Sequence, residues 1–141
     1  LAAPSKLESR TDARSNRSRE ALDVLNGFLA DVSEAIGAFL STADGHSLLK
    51  VEREKSDPQR VAAISSSILA LGERFGSELE HQQCKHVLVE TEKHLVLVQR
   101  VPTPSKRAVL ATVAESSITT GLFLSTSRRC AENLSRVLGG K

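Results

Sequence analysis

The stretch Val61 to Gly72, VAAISSSILALG, runs for twelve residues without a charge, in a chain where Asp, Glu, Lys and Arg fill 26% of positions. Val61, Ile64, Ile68, Leu71 and Phe75 recur at alternating spacings of 3 and 4, the period of an amphipathic helix, so this stripe demands a core. The neighbouring stripe of Ala62, Ser65, Ser66, Leu69 and Gly72 is small except for Leu69, where a surface helix would be charged. A second surface is therefore expected to approach it closely. Two arrangements satisfy the pattern: a helix wholly inside one domain, or a helix shared with a partner chain. A chain of 141 residues has little room to surround a helix, which favours the partner.

The same length predicts one domain, and the division expected is a mobile polar tail over residues 1–16 followed by a domain over 17–141. Aromatic residues make up only 3% of the chain, so the core must be aliphatic and base-stacking platforms are poorly supplied. Five Lys/Arg against three Asp/Glu lie in residues 1–20, so the whole excess behind the net charge of +2 sits there. The rest is balanced, which argues against nucleic acid and against an anionic membrane as partners. No run reaches the length of a bilayer span, so no membrane insertion is expected. Cys84 and Cys130 form no disulfide framework, and a reducing, cytoplasmic location is the expectation.

Along the chain, Ala21, Val24, Leu25, Phe28, Leu29 and Val32 mark a first amphipathic helix from Glu20 onward. Ala35 to Thr42 and Ser47 to Val51 flank Asp44-Gly45, a hairpin signal because Gly accepts the positive φ of the turn. Asp57-Pro58 opens the charge-free helix, with Asp as N-cap and Pro where a missing N–H costs nothing. Lys85 to Glu90 and His94 to Val101 read as a second hairpin, Arg107 to Val113 as a fifth strand, and Leu122 to Leu138 as a last helix. The strands are continuously apolar at their centres, which implies a sheet covered on both faces. Their connections are too short for parallel crossovers, so the sheet should be antiparallel.

This order, with GAFLSTADGHSLL as first hairpin, DPQRVAAISSSILALGERFGSEL as small-residue central helix, VLVETEKHLVLVQRV and AVLATV as later strands and GLFLSTSRRCAENL as last helix, resembles the roadblock/LC7 family over residues 20–138. The resemblance implies an α+β fold, helix, two strands, helix, three strands, helix. Its five-stranded antiparallel sheet carries the central helix on one face and the terminal helices on the other. It further implies a homodimer joined through the central helix and the edge strand Lys85 to Glu90, which places Ala62, Ser65, Ser66, Leu69, Gly72, Val87 and Val89 in the dimer interface. The implied role is a non-enzymatic regulator that binds a Ras-like small GTPase, the alternative being a structural adaptor or light chain of a motor, cytoskeletal or signalling assembly. Arg60 and Arg74, near the two ends of the central helix, would flank the seam and are the candidate partner-binding residues.

No catalytic site, cofactor or metal is expected. His81, Cys84, His86 and His94 lie close in sequence but match no standard zinc spacing. No serine sits in a G-x-S-x-G elbow, and Cys130 on an apolar helix face reads as a small core residue. No Gly-rich segment precedes Lys-Ser or Lys-Thr, so the chain holds no phosphate loop of its own. Arg128-Arg129 invites comparison with an arginine finger, but paired arginines on a helix are more often a solvated face.

Overall fold

A computed structural model describes residues 6–104 and 107–139, with side chains from residue 15 onward. The chain runs α1 (Lys6–Asp31), β1 (Ala35–Thr42), β2 (Ser47–Glu52), α2 (Pro58–Glu78), β3 (Val87–Glu90), β4 (His94–Val101), β5 (Ala108–Glu115) and α3 (Thr120–Val137). The five strands form one antiparallel sheet in the order β2-β1-β5-β4-β3, which is the expected fold class. Both hairpins are present, and the last strand, β5, inserts between them. Because β2 and β3 are opposite edges, the chain segment joining them must cross the whole sheet, and α2 is that segment.

Alternation along the strands sorts the core into two layers. Leu95, Leu97 and Val101 of β4 join Ala108, Leu110 and Ala114 of β5, and Ala38 and Leu40 of β1, under the terminal helices. There they meet Ala21, Leu25 and Phe28 of α1 and Phe123, Cys130 and Leu134 of α3. On the other face Phe39, Val98, Val109 and Ala111 pack with Leu69 of α2. The continuously apolar strand centres are thus explained by burial on both sides. Gly45 at the first hairpin turn has φ +94°, a conformation that L side chains resist.

Two boundaries differ from expectation. Residues 1–5 lie outside the described residues, but from Lys6 the chain is helical, so most of the segment expected as a tail is the beginning of α1. Apolar periodicity detects a helix only where it meets a core, and Ser15 to Glu20 are exposed throughout. The edge strand β3 starts at Val87 and not at Lys85, because the preceding residues fold onto α2.

Candidate partner interface

Helix α2 begins as its sequence dictates. Asp57 is the N-cap with extended backbone, and its carboxylate accepts from the amides of Gln59 at 3.1 Å and Arg60 at 3.4 Å. Its three consecutive serines are compatible with a largely apolar helix because each hydroxyl donates to the helix's own backbone: Ser65 to Val61 O at 2.7 Å, Ser66 to Ala63 O at 3.0 Å, Ser67 to Ala63 O at 2.9 Å.

The two stripes of α2 face opposite to expectation. Ala62, Ser65 and Leu69 are the buried residues of the helix, lying on the sheet, and Gly72 belongs to the same line. Of the larger residues, Val61 and Ile68 only flank this contact, while Ile64, Leu71 and Phe75 are 52%, 63% and 70% exposed. The small stripe is therefore the helix's seat on its own sheet. Ala62, Ser65, Leu69 and Gly72 are not available to a second chain, and Ser66 is half-buried beside Gly45 at the hairpin turn. The physical reason is crowding: the sheet face below already carries Phe39, Val96, Val98, Val109 and Val113, so only a line of small residues lets the helix axis come close.

The chain leaves α2 by a sharp reversal. Glu80 and His81 adopt positive φ of 61° and 55°, and the amide of Gln82 donates back to Gly76 O at 2.7 Å. A Cβ on Gly76 would overlap the carbonyl oxygen of Gln82, and one on Gly72 would stand 2.7 Å from Val87 Cγ2 and 2.8 Å from Cys84 Sγ. The glycines thus let residues 82–84 return along the helix and deliver β3 to the sheet edge. Val87 and Val89 are half-buried on the α2 side of that strand, Leu88 is exposed on the other, and among the described residues no strand pairs with its outer edge. Next to this edge, Leu71, Phe75 and Leu79 line an apolar depression rimmed by Arg74 and Glu78.

An antiparallel sheet of this order, with one helix crossing it and two helices behind, is matched by the sequence itself, which fits the Roadblock/LC7 domain over residues 22–114. The chain belongs to the Roadblock/LC7 family. Among curated proteins none matches the sequence. Three solved structures share its fold. An MglB described with a tetrameric arrangement is 21% identical, with 86% of this chain and 90% of that chain covered at a TM-score of 0.77. The gliding protein MglB from Thermus thermophilus is 20% identical over 86% and 90%, at 0.76. A Roadblock/LC7 domain from Streptomyces avermitilis is 19% identical over 83% and 96%, at 0.73. At these identities the likeness is one of fold.

Within this roadblock domain the remaining candidate residues are dispersed. Arg60 and Arg74 are both exposed, fourteen residues apart and so roughly 21 Å along the axis of α2. Arg128 and Arg129 diverge: Arg129 lines a cleft between α1 and α3, and Arg128 a separate groove beside β4. Cys84 is half-buried under Gly72 with its thiol 3.5 Å from His86 O, and no group of three His, Cys, Asp or Glu side chains able to hold a metal occurs among the described residues. Burial pushes the Cys130 thiol up to about 12, so it stays protonated and serves as a core residue. No helix among the described residues is long and apolar enough to cross a membrane.

One polar group escaped the sequence reading. Ser127 of α3, fully buried, shares a 2.8 Å hydrogen bond with Thr112 of β5, and its carbonyl accepts from Gln99 Nε2 at 3.1 Å. Farther along α3, Ser135 donates to Pro102 O at 2.8 Å. These contacts pin α3 lengthwise along β4. Only the helical period of Ser127, Cys130, Leu134 and Val137 hinted that Ser127 faces inward.

Proposed function

We propose that this roadblock domain is a homodimeric regulator that binds a Ras-like small GTPase in the cytoplasm and modulates its nucleotide cycle or location, acting by binding and not by chemistry of its own. The observation that carries the reading is the uncovered apolar stripe of α2. Ile64, Leu71 and Phe75 stand at half exposure or more beside a free strand edge, and a second copy placing its own stripe and β3 there would cover both. The dimer seam is thus assigned to Ile64, Ile68, Leu71, Phe75 and the edge strand with Val87 and Val89, in place of the small stripe. Full burial of each large side chain is worth about 1.5–3 kcal/mol, so the three exposed ones contribute roughly 3–5 kcal/mol per protomer. Two copies set this against an association cost of about 4–15 kcal/mol, and pairing of the β3 edges supplies more.

The GTPase partner rests on the family, whose members regulate or scaffold such proteins, and on the fold shared with the MglB chains. Arg60 and Arg74 would border the composite surface on either side of the seam. The free thiols Cys84 and Cys130 suit a reducing compartment. The test is capture of purified small GTPases loaded with GDP or a non-hydrolysable GTP analogue, followed by a hydrolysis assay. Binding to one nucleotide state with altered turnover supports a regulator; equal capture of both states with unchanged turnover identifies a structural adaptor instead.

A further inference from the structure

Strand β4 has a stretch with no strand beside it. Its pairing with β3 ends where Val98 meets Val87, yet β4 continues through Gln99 and Arg100 to Val101, held on its other side by Leu110, Val109 and Ala108 of β5. A β3 that began two residues earlier would cover this edge. Instead Gln82 and Cys84 are drawn onto Gly76 and Gly72, which takes the chain off the sheet and onto α2. What remains is a groove of about 430 Å³, with Gln99, Arg100 and Pro102 along its floor and Arg128, Glu132 and Arg136 of α3 along its wall. It lies apart from the α2 stripe and does not depend on the GTPase reading.

The wall has a readable pattern. Spacing of four places Arg128, Glu132 and Arg136 in one row on α3, positive, negative, positive. The hydrogen bonds of Ser127 with Gln99 and of Ser135 with Pro102 show that the row runs along the strand, not across it. Among the described residues neither Arg128 nor Arg136 has an ion-pair partner, and the Arg136 guanidinium contacts only the neutral Asn133 amide. Arg100 is engaged by Glu73, and Arg107 is close enough for its charge to act on Arg100, so this end of the sheet is basic. From Arg128 to Arg136 is roughly 12 Å of helix, and the first and fifth residues of a β-strand are about 13 Å apart, on the same face.

We propose that this groove binds an extended acidic segment of a partner protein, added as a short strand along Gln99 to Val101, with carboxylates at its first and fifth positions on Arg128 and Arg136 and a neutral or basic residue at its third facing Glu132. Backbone pairing supplies affinity and the charge row supplies register.

The probe is a fluorescein-labelled peptide with glutamate-valine-lysine-valine-glutamate at its centre, compared with the charge-reversed lysine-valine-glutamate-valine-lysine peptide and with a version N-methylated at alternate amides. Fluorescence anisotropy on the full chain should show binding of the first peptide only. The double variant Arg128→Glu/Arg136→Glu should bind it about tenfold or more weakly and gain affinity for the reversed peptide. Absence of binding, equal binding of both charge patterns, or full binding of the N-methylated peptide would overturn the proposal, the last indicating a simple anion site. The peptide comparison on the unaltered chain stands even if the double variant fails to fold.

Discussion

The reversed orientation of α2 is tested most directly by placing the same charge on its two stripes. Phe75 is 70% exposed, and its full burial is worth about 1.5–3 kcal/mol, so the part still available is about 1–2 kcal/mol. In a twofold dimer the residue counts twice. Phe75→Glu should therefore weaken association by about 2–4 kcal/mol, raising Kd roughly 30- to 1000-fold, before any penalty for a carboxylate at the seam. The protomer itself should be nearly unaffected, within about 0.5 kcal/mol, because the side chain touches little of its own fold. Leu69→Glu is the counterpart: Leu69 is 3% exposed among Phe39, Val98 and Val109, and a charge there should cost several kcal/mol, about enough to unfold the domain. Sedimentation equilibrium over a wide concentration range, with thermal melts taken where both proteins are monomeric, separates the two effects. A Phe75→Glu chain that dimerises like the parent, or a Leu69→Glu chain that stays folded but monomeric, would refute the face assignment.

Three further outcomes follow from local geometry. Gly76→Ala should lower stability by about 1–3 kcal/mol, since the new methyl displaces the Gln82 carbonyl, whereas Gly27→Ala, with nothing within 4 Å, should raise it by about 0.5–1 kcal/mol; paired denaturant titrations measure both. Ser127→Ala leaves the buried Thr112 hydroxyl without its partner and should cost about 1–3 kcal/mol, while adding Thr112→Val should recover part of that loss in a double-mutant cycle. Burial opposes ionisation of Glu52, but hydrogen bonds from Lys50 and Ser56 outweigh it and hold its carboxyl below the ordinary 4.5. Its contribution is thus present above about 4.5 and lost as pH falls through the lower folded value, so Glu52→Gln should flatten the acid limb of a melting-temperature profile.

What could be read from the sequence follows from which signals are local. The Asp57 cap, the Asp44-Gly45 turn and the uninterrupted apolar centres of β1, β4 and β5 each report on a few neighbouring residues, and each was legible. The start of α1 was not, because a helix that leaves the core carries no apolar stripe to mark it. The return of residues 79–84 was not either: its positive φ values fall on Glu80 and His81, where no glycine announces them, and the two glycines that make room for it lie one and two turns back in α2.

The misreading of α2 has a more general cause. Periodicity fixes the angle between two uncharged stripes but not which of them meets the sheet, and size then serves as the deciding cue: large residues inward, small ones toward a partner. That cue assumes the helix supplies the bulk of the contact. Here the sheet supplies it, with a face of valines and one phenylalanine, so the complementary helix surface must be flat and small. The large residues are then left outside by necessity, and Ile64, Leu71 and Phe75 form a surface that costs solubility unless something covers it. A helix whose inner line is Ala62, Ser65, Leu69 and Gly72 and whose outer line is isoleucine, leucine and phenylalanine keeps its stronger hydrophobic drive for association. The sequence anomaly of a helix without charges is accordingly explained twice over, by a sheet on one side that requires small residues and by an outer surface whose exposed apolar area favours a second chain.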